Sequence, residues 1–442
     1  MVKNGFPRPA VLLLSMLVLL CGLSFPRPAA AAEKDLTLMI YMAGSDLETQ
    51  NGAASADIRE MLDAGCDFGR MNVVILAGGA ERWHLGLNPE ELSVLQLGVR
   101  GMRVVQRLPQ ASMGQPDTLT SFLNYAVSAF PAKDYALIFW NHGGGPMEGV
   151  CYDEKYNRDR LSLPELDRAL AAGPFSPERP LSWIGFDACL MASVEAAGVC
   201  SGYARYMIAS QETEPFTGWN YSFLAGAAAS SPEELGPKIV DAYMAAAPDN
   251  PMLTLSCVNL SRMGTVMVTL SGFFTALRDQ LNADTFSTLS NLRRDTRCFG
   301  RTTTLSDYDL ADLGHLCSQY APLVPEQAAA LQAALDSAVI CNSSRQADAH
   351  GLSIYSPYYN KTAYGNSWLA AGRELNFSGA YSSWISRYAS FWLGDQLADW
   401  TGLAGRALPA AEDGSQTLEL DLTRDQEAHF ADARVVILRD QG

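Results

Sequence analysis

The chain has 442 residues, of which 48% are hydrophobic and 18% are charged, and its formal net charge is −16. This composition is that of a folded protein and argues against an intrinsically disordered chain. The acidic balance, without clusters of lysine or arginine, argues against nucleic acid as a partner, because phosphate binding needs such clusters.

The N-terminus has the parts of a secretory signal peptide in the usual order. Lys3 and Arg8 precede an apolar run at 10–25, and four alanines follow at 29–32. We therefore predict a secreted or extracytoplasmic protein that is cleaved near Ala32. A membrane anchor is the alternative, but the run is short for a span of about 20 residues, so we expect no membrane span in the mature chain. Cleavage would remove three positive charges and leave a net charge of −19.

Segments with strand and helix patterns then alternate along the chain. Apolar runs predict buried strands at 36–42, 72–77, 134–140, 181–188 and 206–210. The residues between them predict a hairpin at 92–108 and helices at 53–64, 118–129, 161–172 and from Cys189 through 199. Strands separated by helices predict an α/β fold with a mostly parallel central sheet and helices on both faces.

The second half of the chain gives fewer signals. Helices are predicted at 308–315, 327–338 and 384–392, and His315 in the first of them is interpreted as structural. From residue 409 the composition is that of a linker, and strand patterns follow at 417–422 and 434–438. We therefore predict a signal peptide (1–32), a main α/β domain (33–408), and a linker with the start of a small β domain (409–442).

Candidate reactive side chains follow two successive predicted strands. His142 follows the strand at 134–140, and Asp187 and Cys189 end the next one. Ligands of open α/β sheets bind beyond the carboxyl ends of the strands, so Cys189 and His142 face one crevice if these strands are neighbours. His142 can accept the thiol proton, and we expect a helix N-terminus at Cys189 to lower the thiol pKa. The amides of Gly143 and Cys189 are the candidate oxyanion hole.

Each of these residues also has a structural interpretation. Cys189 alone fits a packed core thiol, and Asp187 fits the N-cap of the following helix. The His-Gly-Gly-Gly run at 142–145 fits a flexible turn or the oxyanion loop of a lipase-like hydrolase. That hydrolase requires a G-x-S-x-G elbow, which the sequence lacks. The coincidence at successive strand ends favours a catalytic cysteine.

Several of these segments resemble the clostripain family of cysteine peptidases. The specific ones are LTLMIYMAGSDLE (36–48), YALIFWNHGGG (135–145) and IGFDACLMASVE (184–195), and SQETEPFTGWNY (210–221) and GLSIYSPY (351–358) are also similar. The resemblance implies a caspase-like α/β/α fold over 33–408 and a cysteine endopeptidase with Cys189 as nucleophile and His142 as its base. A catalytically inactive secreted binding protein on the same fold is the alternative.

The resemblance also implies a substrate and a maturation step. Members cleave after arginine or lysine, which places Asp187 in the pocket for the basic side chain. Asn220 stands where many relatives carry aspartate, so we expect it to bind substrate and to weaken the basic preference. Members also cleave themselves between the two motifs, here within 150–163, although an ordinary charged loop is an equal alternative. The candidate cleavage residues are Lys155, Arg158 and Arg160.

Cofactor and cysteine chemistry are less specified by the sequence. We expect no required cofactor and assign no metal ligands. Some relatives depend on calcium, for which Asp153, Glu154 and Asp159 would supply oxygens here, without an EF-hand pattern. The nine cysteines include no CxxC pair and are too sparse for a disulfide scaffold. Without Cys21 and Cys189 seven remain, so at least one is expected to be free.

Overall fold

The structure is a computed structural model that describes residues 32–301, 306–360, 364, 374–375, 377–393, 404–407 and 418–421. The strands are β1 (Lys34–Ala43), β2 (Met71–Gly78), β3 (Glu91–Gly98), β4 (Gly101–Pro109), β5 (Ala132–Trp140), β6 (Val150–Asp153), β7 (Asp159–Leu161), β8 (Trp183–Asp187), β9 (Tyr206–Ala209), β10 (Thr254–Asn259), β11 (Cys298–Arg301), β12 (Ser306–Asp312), β13 (Val339–Ser344), β14 (Ser353–Tyr355), β15 (Ala404–Ala407) and β16 (Leu418–Asp421). The α-helices are α1 (Ser45–Asn51), α2 (Ala53–Asp63), α3 (Pro116–Ala129), α4 (Gly145–Glu148), α5 (Leu163–Ala171), α6 (Val194–Cys200), α7 (Pro232–Ala246), α8 (Met263–Gln280), α9 (Phe286–Asp295), α10 (Leu313–Tyr320), α11 (Pro325–Ala338) and α12 (Gly379–Leu393).

A nine-stranded sheet lies at the centre, in the order β13-β10-β9-β8-β5-β1-β2-β3-β4. Its five central strands, from β9 to β2, are parallel. Two antiparallel strands extend the sheet at each edge, and β3 and β4 form the predicted hairpin. The parallel centre confirms the alternation of strands and helices that the sequence predicts, because parallel neighbours need a crossover connection between them.

Strand β1 shows why the sheet is covered on both faces. Met39 and Tyr41 belong to one hydrophobic core, whereas Leu38 and Ile40 belong to the other, because successive side chains of a strand point to opposite faces. Helices α3, α5, α6 and α8 pack on the first face, and α2 and α7 pack on the second. Burial of apolar surface, at about 25 cal/mol per Å², therefore stabilises both layers of an α/β/α sandwich.

Two predicted helices begin later in the structure than the sequence patterns suggest. Residues 308–312 belong to β12, which pairs with β11 and β14, and α10 begins only at Leu313. The Asp312 carboxylate ends the strand and caps this helix by accepting the His315 N–H at 2.7 Å. The His315 ring in turn accepts the Arg297 N–H at 3.0 Å, so its structural interpretation fits the contacts.

The helix expected to start at Cys189 also begins later, at Val194, where the Ser193 side chain accepts the Ala196 N–H at 3.1 Å. Residues 188–193 form an irregular turn between β8 and α6. The interpretation of Asp187 as the N-cap of this helix is therefore wrong, because Ser193 has that position.

Some predictions concern the ends of the chain. The predicted signal peptide lies, except for Ala32, outside the described residues, as does the predicted strand at 434–438. Strands β15 and β16 pair with each other, so the pairing joins residues on both sides of the predicted boundary at 409. In the described part of the chain, one helical stretch, Leu260–Gln280, is long and apolar enough to cross a membrane. The core helices of soluble proteins can have the same length and hydropathy. The stretch Leu260–Gln280 includes α8, whose Phe273 and Leu277 are buried in the core.

Candidate active site

The loops after β5 and β8 bring the two predicted reactive residues together. The strands are parallel neighbours with Trp140 opposite Asp187, so their carboxyl ends lie side by side, as the sequence argument required. His142 and Cys189 both line one cavity of about 260 Å³ at this edge of the sheet. The remaining lining residues are Leu47, Trp140, Asn141, Asp187, Ala188, Glu214, Pro215, Phe216 and Gly218.

Asn141 holds the loop that carries His142. Its side-chain amide donates to the Ala43 carbonyl at 2.6 Å, and its side-chain oxygen accepts the Tyr152 N–H at 2.7 Å. Its own N–H donates to the Asp187 carbonyl at 3.3 Å. The buried side chain of Asn141 thus joins β1 to β6, and its backbone N–H adds β8, which fixes the backbone from which His142 projects.

Gly143 lies directly against the backbone of Cys189. A Cβ atom at this position would be 2.2 Å from the Cys189 carbonyl oxygen, far inside van der Waals contact, so only glycine fits. This close approach places the two candidate oxyanion-hole amides, those of Gly143 and Cys189, in adjacent pieces of backbone.

The His142 ring contacts two further side chains. Its Nε2 lies 2.9 Å from Asp46 Oδ1, and the Tyr152 ring packs against it edge-on at a centroid distance of 6.0 Å. Burial works against ionisation of Asp46, but hydrogen bonds from Ser45 and His142 hold the pKa of this carboxyl below its usual value. His142 therefore sits beside an ionised carboxylate, with its side chain 30% exposed.

Cys189 is half-buried, and its sulfur accepts the Glu214 N–H at 3.3 Å. Burial, and next the negative charge of Glu214, raises the pKa of the Cys189 thiol to about 12. The expectation that a helix N-terminus lowers this pKa is wrong, because α6 begins five residues further along. A base close to the sulfur is thus needed to form the thiolate near neutral pH.

The side of the cavity next to Cys189 is acidic. Asp187 is 5% exposed, and its carboxylate accepts the Trp219 N–H at 3.0 Å and the Tyr221 hydroxyl at 2.7 Å. A Cβ atom on Gly218 would lie 2.7 Å from Asp187 Oδ1, so this glycine allows the loop to wrap the carboxylate. The loop after β9 thereby fixes the orientation of Asp187.

Two further carboxyl groups, neither of them predicted from the sequence, lie near Asp187. Glu214 lines the cavity; its Oε1 accepts the Trp219 indole N–H at 3.2 Å, and its carboxyl group shares a hydrogen bond with that of Asp187. Asp57 accepts the Trp140 indole N–H at 2.7 Å behind the cavity wall. Among the lining residues His142 alone can carry a positive charge, so the carboxyl groups face no arginine or lysine of the cavity.

Burial decides which of these carboxyl groups is ionised. It raises the pKa of Asp187 to about 6, against the hydrogen bonds from Tyr221 and Trp219, which lower it. Burial and the charge of Asp187 together raise the pKa of Asp57 to about 9 and that of Glu214 well above its usual range. Of the three carboxyl groups, Asp187 has the pKa that is raised least, so it is the one that ionises first as the pH rises.

The structure does not bring the other predicted site residues into the cavity. Asn220 is absent from its lining, and its side-chain oxygen instead accepts the Ser222 N–H at 3.1 Å to cap a short turn. The side chain of Asn220 is thus used locally, and its role in substrate binding stays a prediction. Lys155, Arg158 and Arg160 lie on the β6–β7 hairpin outside the cavity.

The carboxylates considered for calcium are engaged by protein donors. Asp153 accepts the N–H groups of Met113 at 2.8 Å and Lys155 at 2.9 Å, and Glu154 accepts the Thr49 hydroxyl. Asp159 accepts the Ser112 hydroxyl and the Gln115 amide, each at 2.7 Å. Among the residues that the structure describes, no group of three or more metal-binding side chains is found.

Comparison with known proteins identifies the family. The model of the clostripain family matches residues 40–399. The chain belongs to the clostripain family. Clostripain from Hathewaya histolytica is 32% identical to it over 195 residues, which cover 37% of this clostripain-family chain and 35% of that protein. The matched region is thus about a third of the length of this relative.

Solved structures support the fold of this clostripain-family protein. A secreted C11 cysteine protease from Bacteroides thetaiotaomicron, in complex with an irreversible peptide inhibitor, is 17% identical with a TM-score of 0.59, covering 78% of this chain and all of that one. An inactive zymogen C11 protease from Parabacteroides distasonis is 18% identical with a TM-score of 0.60, covering 80% and 99%. The predicted family of cysteine peptidases and the predicted caspase-like α/β/α sandwich are thereby confirmed.

Proposed function

We propose that the protein is a secreted cysteine endopeptidase that cleaves after basic residues, with Cys189 as nucleophile and His142 as general base. The observation that carries this proposal is a single cavity that holds both side chains beside buried carboxyl groups. Secretion is supported by the signal-peptide pattern at 1–32 and by the description of one solved relative as secreted. The inactive binding protein is less favoured, since Cys189, His142 and Asp187 are all present.

The chemistry follows from the groups in the cavity. His142 takes the proton from the Cys189 thiol, and the sulfur attacks the carbonyl carbon of the scissile bond. The amides of Gly143 and Cys189 stabilise the resulting oxyanion. His142 then returns the proton to the leaving amine as the C–N bond breaks, which leaves a thioester on Cys189. A water molecule, deprotonated by His142, hydrolyses the thioester and releases the acid product.

The acidic side of the cavity supports a basic side chain at the cleaved bond. A buried carboxylate without a positive partner is unfavourable, and an incoming guanidinium or ammonium group removes that cost by pairing with Asp187. Glu214 lines the same cavity, and its hydrogen bond to Asp187 favours the ionised form of Asp187.

The specificity is tested with three fluorogenic peptides that differ only in the residue before the cleaved bond: arginine, lysine or citrulline. Citrulline is the matched control because it has the shape of arginine without its charge. We expect kcat/KM to be on the order of 10²-fold higher for the arginyl than for the citrullyl peptide, since citrulline leaves Asp187 unpaired. Equal values would contradict the basic preference. Binding of all three peptides without cleavage would favour the inactive binding protein.

We also propose that the protein cleaves itself within 150–163, and the hairpin geometry favours Arg158 among the three candidates. Lys155 is held by the Pro89 carbonyl and the Glu90 carboxylate, each at 2.7 Å, and the Arg160 guanidinium donates to the Glu148 carbonyl at 2.8 Å. Arg158 is exposed at the hairpin tip, with a left-handed backbone at φ 59°. An exposed tip is the usual place for proteolytic cleavage.

Incubation of the wild-type protein should therefore produce a fragment that begins at Asp159. We expect Arg158→Ala to slow this cleavage at least about tenfold, because the basic side chain that fits the pocket is removed. Lys155→Ala is the matched control and should be processed at the wild-type rate, whereas Cys189→Ala should stay intact. Intact mass and N-terminal sequencing over time measure the reaction. Cleavage beginning at Tyr156 or Leu161 would contradict the choice of Arg158.

A further inference from the structure

The loop after β1 places a carboxylate behind the His142 ring. Asp46 lies three residues beyond the end of β1, the strand next to β5, so it shares the sheet edge with His142. Its Oδ1 is 2.9 Å from His142 Nε2, and Asp46 is absent from the lining of the cavity. We propose that Asp46 is a positioning residue that orients His142 towards Cys189. This inference rests on the proposed function of Cys189 and His142.

The contact determines which ring nitrogen can act as the base. A neutral imidazole has one N–H donor and one acceptor nitrogen. Because Nε2 faces an ionised carboxylate, which can only accept, the proton of neutral His142 is on Nε2 and the lone pair is on Nδ1. Nδ1 is therefore the nitrogen that takes the Cys189 proton. The Asp46 carboxylate then stabilises the imidazolium that this transfer creates.

Asp46 is itself held in place by its neighbours. The Ser45 hydroxyl donates to Asp46 Oδ1 at 2.6 Å, and Ser45 is buried with a left-handed backbone at φ 52°. This conformation costs about 1 kcal/mol for a residue other than glycine, and such costs are concentrated at functional sites. On the other side of the ring, Tyr152 packs edge-on against His142. The imidazole is thus confined between a fixed carboxylate and an aromatic ring.

Three substitutions test the role: Asp46→Asn, Asp46→Ala and Asp46→Glu, with Asp35→Asn as the matched control. Asp35 is a carboxylate at the opposite end of β1, paired with Arg70 and Lys133. We expect Asp46→Asn and Asp46→Ala to lower kcat for the arginyl peptide on the order of 10²-fold or more, as removal of a comparable carboxylate does elsewhere. KM should stay within about twofold, since Asp46 lies outside the cavity. Asp46→Glu, which keeps the charge, should retain more activity than Asp46→Asn.

A second readout separates positioning from a merely structural role. The rate at which iodoacetamide alkylates Cys189, followed by peptide mass, reports formation of the thiolate. We expect this rate to be lower in Asp46→Asn near neutral pH and to approach that of the wild type towards about pH 10, where solvent base replaces His142. A merely structural defect would lower the rate at every pH.

The outcomes distinguish this inference from the proposed function. If Asp46→Asn and Asp46→Ala keep the wild-type kcat, the role of Asp46 is overturned. The proposed function still stands in that case, provided that Cys189→Ala and His142→Ala are inactive. An equal loss of alkylation at every pH, or a rise in KM that matches the fall in kcat, overturns the role of Asp46 as well. Activity that survives in Cys189→Ala or His142→Ala would instead overturn the proposed function on which it rests.

Discussion

Alanine in place of Cys189 is expected to lower kcat for the arginyl peptide on the order of 10⁴-fold or more, since loss of a nucleophile has effects of this size in other peptidases. The cause is the loss of the sulfur that forms the thioester, for which the cavity offers no substitute. The carboxyl groups beside Cys189 remain, so the variant should still bind the peptide. Progress curves measure the rate, and titration of the peptide against the uncleaving variant measures its dissociation constant.

Cys200→Ala is the matched control for this substitution. Cys200 is another free thiol, fully buried in α6, and it lies outside the cavity. Its removal should affect packing but leave kcat within about threefold of the wild-type value, because it touches no reacting atom. If Cys189→Ala hydrolysed the peptide as fast as Cys200→Ala, the assignment of the nucleophile would be wrong.

His142→Ala provides the complementary measurement. We expect its loss of kcat to be similar to that of Cys189→Ala, and the double variant to be little worse than either single one, because the two residues act as a unit. The burial of the thiol supports this expectation, since it raises the pKa of Cys189 to about 12 and leaves little thiolate without a base. Additive losses would indicate that the two side chains act independently.

The central fold and the two reactive residues were predictable because their signals are local. Apolar runs predicted the parallel strands, and the positions of His142 and Cys189 directly after two of them placed both at one sheet edge. The sequence alone did not show that these strands pair. The register of Trp140 with Asp187 supplies this long-range information.

The rule that functional side chains lie beyond the carboxyl ends of parallel strands also applies to two residues that were not predicted. Asp46 follows β1, and Glu214 follows β9, so both stand beyond carboxyl ends of parallel strands. They were missed because each lies a few residues into its loop, where the path of the backbone decides the direction of the side chain. Asn220 shows the same dependence on the backbone path, because its neighbours Trp219 and Tyr221 contact Asp187 while its own side chain caps a turn.

The acidity of Cys189 was predicted wrongly for a related reason. The pattern after residue 189 is apolar and contains helix-forming residues, but the helix begins only at Val194, after Ser193, whose hydroxyl caps it. The intervening turn places the Cys189 sulfur beside the Glu214 N–H rather than at a helix N-terminus. The positive end of α6 is therefore displaced from the thiol, and burial dominates its pKa.

Asparagine in place of Asp187 is expected to lower kcat/KM for the arginyl peptide on the order of 10²-fold, while the value for the citrullyl peptide changes less than about threefold. Asparagine has nearly the same shape and can still accept the Trp219 N–H, so the main loss is the negative charge. Asp134→Asn is the matched control, because Asp134 is an exposed carboxylate near the opposite end of β5, paired with Arg205. The Asp134→Asn variant should have the wild-type kcat/KM for both peptides.

The pH dependence of the preference for arginine distinguishes Asp187 from the other carboxyl groups as the source of the negative charge. Burial raises the pKa of Asp187 to about 6, so the carboxylate becomes ionised as the pH rises through this value, whereas arginine stays cationic throughout. The ratio of kcat/KM for arginyl over citrullyl peptide should therefore increase with pH across this range in the wild type. Because both peptides use the same Cys189 and His142, their titration cancels in the ratio. In Asp187→Asn the ratio should be low and independent of pH, and a slope that persisted there would assign the pocket charge to Glu214 or Asp57 instead.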